Sequence, residues 1–301
     1  MELKTQKALF TLGVNAFGKI GEIIKNTDYF PQKPLDHFKL LKFILEKDHI
    51  SDFSSLINEK NRDKELLKNI ISVLSSQEKQ NLVSVDSLQK VLMNFEKTFL
   101  ENLIEANIAQ KYTLCLKLSS SPKMHEDWKI SLKSAVIAIS IAKWAGMQDL
   151  EMAFMGALLS EVPTMVLGIN EPQIIHFIEE KIANGMPKRN AEVLALGFDH
   201  TELGAKLFKY YGMPADLIEL VQYDFDSCKV KQKTKMLCDV INFSKFIAKS
   251  FSDKSQSPSS MWNGSQSYIQ ALGLKINPED WGNKISLLFV KSLEFEMSVM
   301  S

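Results

Sequence analysis

Apolar positions recur at spacings of three and four residues along almost the whole chain, the pattern of helices with one buried face. Phe10, Val14, Phe17, Ile20 and Ile24 predict an amphipathic first helix. Pro31 and Pro34 mark a break, and Leu35, Phe38, Leu41 and Leu45 then form a stripe on a helix from about Leu35 to Glu46. Ser51 is placed to cap a short helix carrying Phe53, Leu56 and Ile57. Further helices are predicted over Leu66–Leu74 and from Ser87 to about Leu118, the latter with Leu88, Val91, Leu92, Phe95, Phe99 and Leu103 on one side. Ser119-Ser120-Ser121-Pro122 ends it, because serine hydroxyls compete for backbone hydrogen bonds and proline disfavours a helical residue before it.

Beyond that break, Leu132 to Ala145 is apolar nearly all round, which predicts a central, buried helix. Asp149 to Leu159 is a second apolar helix, and Pro163 breaks or kinks the chain after it. Gln173 to Ala183 is amphipathic and stops at Asn184-Gly185-Met186-Pro187, and Gly197 closes a short helix from Glu192 to Leu196. Asp199-His200-Thr201-Glu202 has the spacing of a capping box, with Asp199 as N-cap and Glu202 able to bond back. That helix runs to Tyr211; Gly212 suits a left-handed end and Pro214 the start of the next helix. Thr234 to Lys249 is helical, Ser250 to about Ser267 reads as a serine-rich loop, and Tyr268–Leu272 and Pro278–Met297 are the last helices. No segment alternates with period two between hairpin turns, so the expected fold is all-α. Four parts are expected: an N-terminal extension (1–29), a first helical lobe (30–121), a second (122–249), and a serine-rich loop with C-terminal helices (250–301).

Composition narrows the function. Of 301 residues, 45% are hydrophobic and 24% charged, as in an ordinary globular protein. Lys+Arg and Asp+Glu are both 36, so there is no basic surplus of the kind nucleic-acid binding favours. Cys115, Cys228 and Cys238 lack paired spacing and are odd in number, which reads as reduced thiols in a cytoplasmic setting. No stretch reads as the run of about 18 apolar residues that a membrane helix needs. Asn15 and Lys19 interrupt the apolar N-terminal stretch, which argues against a signal peptide. Phosphate loops, zinc spacings and repeats are not found.

Several motifs resemble those of the HDOD family, helical relatives of the metal-dependent HD phosphohydrolases. Trp128-Lys129-Ile130-Ser131-Leu132 is similar to the family's W-x-H-S-hydrophobic start, and Ala153-Phe154-Met155-Gly156-Ala157-Leu158-Leu159 to its A-F-x-A-G-L-L stretch. Ser160-Glu161-Val162-Pro163 stands at the His-Asp-Ile-Gly position. Glu192 to Gly204 resembles the E-x-x-x-x-G-x-D-H-x-E-x-G block, and Phe208 to Pro214 its L-x-x-W-x-x-P continuation. Phe30-Pro31-Gln32-Lys33-Pro34 is similar to the proline-containing start of the first lobe. The resemblance spans roughly Phe30 to Ile247 and implies a two-lobed helical architecture.

The departures from the pattern carry the chemistry. An HD hydrolase holds a metal through imidazole and carboxylate groups, and the metal acidifies a bound water. Here Ile130 stands at a His position, Ser160-Glu161 at the His-Asp pair and Asp224-Phe225 at a later His-His pair. His200 and Asp239 are the ligand types that survive. Ile130, Ser160, Glu161, His200, Asp224 and Asp239 are therefore expected to line a vestigial site or pocket, with no catalytic residue, metal or cofactor. His200 lies in the first turn of its helix, where the dipole disfavours an imidazolium, and is expected to be neutral. Trp128 and Trp144 are expected in the core, and His37, His49, His125 and His176 at the surface or in satisfied polar contacts. The resemblance implies a non-enzymatic bacterial signal-transduction module that binds another signalling protein or a small molecule, with no nucleic-acid or membrane partner. The alternative is a divergent metal-dependent phosphohydrolase, which requires Glu161, His200, Asp224 and Asp239 to converge.

Overall fold

A computed structural model describes residues 18–31, 34–46, 97–116, 121–252 and 258–300. The helices expected around Ser51 and over Leu66–Leu74, the start of the one at Ser87, and Phe10, Val14 and Phe17 lie outside them. Among the described residues every regular element is helical, as the periodicity predicts.

In chain order the elements are α1 (18–25), α2 (Pro34–Glu46), α3 (Lys97–Leu116), α4 (Pro122–Trp144), α5 (Leu150–Leu159), α6 (Val162–Asn170), α7 (Pro172–Ala183), α8 (Lys188–Leu196), α9 (His200–Tyr210), α10 (Ala215–Gln222), α11 (Gln232–Ser252), α12 (Pro258–Ala271) and α13 (Pro278–Met300).

Helix α4 is the centre of the fold, packed against α3, α5, α11 and α13. It begins where a cap and a proline coincide: the Ser121 Oγ accepts from the Met124 amide at 3.4 Å, and Pro122 needs no amide partner in the first turn. Trp128, Leu132, Ala135, Ile137, Ala138, Ile141 and Ala142 are fully buried. The Trp128 indole donates to the Thr113 hydroxyl at 3.0 Å, which satisfies its polar atom inside the core. Trp144 sits at the rim, with the Lys284 ammonium 4.8 Å above its ring. Buried side chains from before and after the Ser121–Pro122 break, Ile20 to Val299, belong to one hydrophobic cluster.

Leu150–Asn170, the pair α5–α6 with a turn at residues 160–161, is long and apolar enough to cross a membrane, contrary to the sequence reading. Yet 78% of its apolar window is buried inside the protein, which is how a core helix passes the same test. The apolar stripe of α2 holds at Phe38, Leu41 and Leu45, while Leu35 is exposed. Helix α1 and the segment after it are tied down: Lys19 pairs with Glu171 at 3.0 Å, and Tyr211 Oη donates to the Thr27 carbonyl at 2.7 Å.

The serine-rich segment is a correction. Residues 258–271 form α12, not a loop. Pro258 stands at its first turn, and Met261, Ser265, Ile269 and Leu272 repeat on its buried side. The Ser265 hydroxyl donates back to the Met261 carbonyl at 2.7 Å, so the serine is satisfied without breaking the helix.

Two glycines end helices where expected. Gly197 (φ 80°) closes α8 and Gly212 (φ 67°) follows α9, each in the left-handed region that other residues avoid. A third, Gly204, sets a helix spacing: a Cβ there would lie 2.6 Å from Pro163 Cγ and 2.9 Å from Val221 Cγ2. Its missing side chain lets α9 lie against the first turn of α6 and against α10, which brings His200 and Glu161 to the same end of the bundle.

Candidate functional site

Helix α5 ends at Ser160, whose hydroxyl donates to the Ala157 carbonyl at 2.9 Å. Glu161 is the cap residue of α6, with Pro163 in the first turn. Its carboxylate crosses to α11, where the Lys245 ammonium donates to it at 2.7 Å; the two side chains are 18% and 17% exposed. Burial alone would push the Glu161 carboxyl up. The Lys245 charge and hydrogen bond, with Lys188 and Lys249 further off, instead hold it far below the carboxylate range. The Lys188 ammonium donates to Thr164 Oγ1 at 2.9 Å.

His200 opens α9. Asp199 caps that helix by accepting from the amides of Thr201 and Glu202 at 2.9 and 3.0 Å, as predicted. Its other oxygen accepts from Arg189 Nε at 2.8 Å and Nη2 at 2.7 Å. His200 Nδ1 lies 2.6 Å from Glu192 Oε2, which also accepts the His200 amide at 3.0 Å. Nε2 lies 3.3 Å from Asp224 Oδ1. Burial opposes the charged ring, but the hydrogen bonds to Asp224 and Glu192 outweigh it, and the His200 pKa is raised above its ordinary value. The two carboxylates thus favour a charged His200, against the helix dipole that favours a neutral one. A helix dipole is worth about 0.3–1 kcal/mol, less than two carboxylates in contact with the ring.

Asp224 reaches His200 from a tight turn after α10. Asp224 and Phe225 both have φ of 55°, left-handed for two successive residues with side chains. The turn is held from several directions: the Phe225 amide donates to the Leu220 carbonyl at 2.8 Å. The Phe225 carbonyl accepts from Asn242 Nδ2 at 2.7 Å and Cys238 Sγ at 2.8 Å. Burial raises the Cys238 thiol to about 12, so it is not a nucleophile at neutral pH. The Phe225 ring faces the Lys245 ammonium, 5.5 Å from its centroid.

The structure therefore brings together Ser160, Glu161, His200 and Asp224 near one end of α9, with Lys245, Glu192 and Lys188 among them. Ile130 is half-buried on α4, packed against the core. Asp239 lies on α11, where its charge, after burial, raises the Tyr268 phenol of α12. His37 is a satisfied core histidine, its Nδ1 3.1 Å from Tyr112 Oη, and His176 is exposed.

A divalent metal needs imidazole or carboxylate lone pairs aimed at one point. Ile130 has none, and the Ser160 hydroxyl turns back to its own helix. Both ring nitrogens of His200 are already paired with carboxylate oxygens, and Glu161 is paired with Lys245. Among the described residues no group of three or more His, Cys, Asp or Glu side chains is placed to hold a metal. The residues present do not fit the metal that an HD hydrolase uses.

Residues 98–226 match the family model described as the HDOD domain. This chain carries an HDOD domain. The match opens inside α3 and closes just past Phe225, so the HDOD segment includes Glu161, Glu192, His200 and Asp224, while Lys245 lies beyond it. Three solved structures share the fold. One is a protein from Shewanella amazonensis SB2B: 17% identical, covering 92% of this chain and 97% of its own, TM-score 0.62. The second is an HDOD domain protein from Geobacter sulfurreducens: 16%, 92% and 96%, TM-score 0.60. The third, from Marinobacter aquaeolei VT8, is 14% identical over 95% of this chain and 64% of its own, TM-score 0.58. At such identities the likeness speaks for the fold alone. No curated protein matches the chain by sequence.

Glu192 opens the motif block that resembles the HDOD pattern, but its role was not read from the sequence. Its separation of eight residues from His200, across the Gly197 turn, is the signal that could have paired them. Lys245 had no sequence signal: only the packing of α11 against α5, which ends just before Glu161, finds it.

Proposed function

We propose that this chain is a regulatory HDOD module that works by binding another signalling protein or a small molecule, without catalysing a reaction. The observation that supports it most is the mutual neutralisation of the site: Glu192 and Asp224 hold His200, and Lys245 holds Glu161. A hydrolytic site needs such groups free to hold a metal and activate water. The Marinobacter relative is provisionally named a signal transduction protein and the Shewanella relative a phosphohydrolase, and the state of these side chains favours the first reading. In this reading the module belongs to the bacterial cytoplasm, and its ligands are neither nucleic acid nor membrane.

Elemental analysis tests the reading. The purified protein is incubated with manganese, iron, magnesium or zinc and desalted. The expected result is no retained metal. Stoichiometric metal that disappears in His200→Ala would support the divergent phosphohydrolase instead.

A further inference from the structure

Helix α13 is apolar on two sides. Its inner side carries Ile285, Leu288, Phe295 and Val299, all buried. Its outer side carries Phe289, Val290, Leu293, Met297 and Met300, which are between 39% and 63% exposed. A surface helix of a self-contained domain normally has one apolar stripe, and a second marks a face that something else covers. Beyond the first turn, most charged side chains of the helix are engaged off this face. Lys284 lies over Trp144, Glu296 pairs with Lys133 at 2.9 Å, and Lys291 and Glu294 line a cleft with Asn102 and Val136. We propose that the outer stripe of α13 is the contact face between two copies of the chain, paired antiparallel about a two-fold axis between Val290 and Leu293.

Self-complementarity selects a second copy as the occupant. In an antiparallel pair with this centre, Ser286 meets the partner's Met297 and Val290 meets the partner's Leu293. The small end of each stripe thus receives the large end of the other. A parallel pair would set Met297 on Met297 and Ser286 on Ser286, crowding one end and leaving a gap at the other. The Ser286 hydroxyl already donates to the Gly282 carbonyl at 2.9 Å, so covering it strands no donor. Phe289 is held edge-on by Phe251, with ring centroids 5.1 Å apart, and is a preset anchor. Each Glu294 falls opposite the partner's Phe289 and not opposite itself, so like charges do not meet at the axis. The area suffices as well. A large apolar side chain carries roughly 150–200 Å² of accessible surface, so the five present on the order of 400–500 Å² per copy at these exposures. Pairing two copies removes roughly 800–1,000 Å² of apolar surface, and the rim of Asn283, Ser286 and Glu294 carries the total past the ~1,000 Å² of a specific interface. A lipid surface fits less well, because Glu294 and Glu296 flank the stripe where an interfacial helix carries lysine or arginine. The inference concerns assembly, and holds whatever the module binds.

The test uses the full chain in sedimentation velocity at concentrations from about 1 to 100 µM. The expected result is a mass that rises with concentration from 34.1 kDa toward twice that value. Met297→Glu and Val290→Glu each place a charge twice across the axis, and should raise the dimer dissociation constant about 100-fold or more. Both positions are exposed, so the circular dichroism of each variant should match wild type, and two variants keep the test decisive should one fold poorly. Register is read by cross-linking in a Cys228→Ser background, which removes the exposed thiol. Ser286→Cys with Met297→Cys should give a disulfide-linked dimer on mild oxidation, and Ser286→Cys alone should not. Within one chain the two positions lie about three helical turns apart, too far to bridge. The proposal is overturned if wild type stays monomeric at every concentration, or if the folded glutamate variants dimerise as wild type does. It is equally overturned if Ser286→Cys alone cross-links as well as the pair. A monomer that adsorbs to anionic phospholipid vesicles, and loses this in Met297→Glu, would assign the stripe to a membrane and overturn it too.

Discussion

Replacing Gly204 by alanine tests the close approach that builds the site. Two effects oppose each other. In a helix interior alanine is favoured over glycine by roughly 0.5–1 kcal/mol. At Gly204, however, the new methyl group would lie 2.6 Å from Pro163 Cγ, 2.9 Å from Val221 Cγ2 and 3.0 Å from Pro163 Cβ. Pro163 is a rigid ring in the first turn of α6 and Val221 is 1% exposed, so neither can swing into solvent. Overpacking of this kind costs typically 1–3 kcal/mol, so the clash wins by roughly 1–2 kcal/mol. For a chain of this size that is a fall in Tm of about 2–5 °C. The control is Gly282→Ala on the exposed side of α13, where a Cβ meets nothing within 4 Å. There only the helix preference remains, and stability should rise by roughly 0.5–1 kcal/mol. Urea and thermal unfolding followed by circular dichroism measure both. Pro163→Ala, which removes the nearest ring atom, should partly relieve Gly204→Ala and give a coupling of about 1 kcal/mol. If Gly204→Ala is as stable as wild type, or stabilised like the control, then α9 and α6 do not pack at these distances and the placement of His200 beside Glu161 loses its support.

Three further outcomes are expected. The raised His200 pKa means the folded state binds its proton more tightly, so this stabilisation is complete below the unfolded value of about 6.5 and is lost as pH rises through the folded one. NMR titration of the His200 ring should give a midpoint above 6.5 that falls in Asp224→Asn; a midpoint at or below the ordinary value rejects the carboxylate clamp. Glu105, 1% exposed with its Oε2 unpartnered among the described residues, is pushed up to about 7 by burial and Glu101, against Lys291 and Lys143. It stabilises most below the ordinary carboxylate range and progressively less as pH rises to about 7, so Glu105→Gln should gain on the order of 2–3 kcal/mol at alkaline pH and almost nothing in acid; equal gains at both would refute this. Trp128→Phe leaves the Thr113 hydroxyl without its donor and should cost about 1–3 kcal/mol in urea unfolding, with Thr113→Val in that background restoring part of it.

The helices and their ends were largely legible because local rules govern them. Ser121-Pro122, Asp199, Gly197 and Gly212 each act within a few residues, and each does in the structure what its chemistry predicts. The serine-rich stretch misled because a serine in a helix can bond back to its own turn, as Ser265 does, once Met261 and Ile269 are buried. At the site, the residue types at Ser160 and Ile130 already depart from the family pattern they resemble. The partners of the neighbouring charged groups were not legible. The raised pKa of His200 depends on Glu192 eight residues earlier and Asp224 twenty-four later, and the partner of Glu161 lies 84 residues away on α11. Such pairs come from helix packing, which no local pattern encodes. Asp239 is of the expected residue type on α11, and its charge acts on the adjacent Cys238 and, through helix packing, on Tyr268.

In the proposed reading, the polar groups of this site satisfy each other and do not perform chemistry. Turnover of a phosphodiester by highly purified protein in the presence of Mn2+, measured beside His200→Ala prepared identically, tests it most directly. The same background rate is expected for both proteins. A rate in wild type that vanishes in His200→Ala, while that variant remains folded, would contradict it.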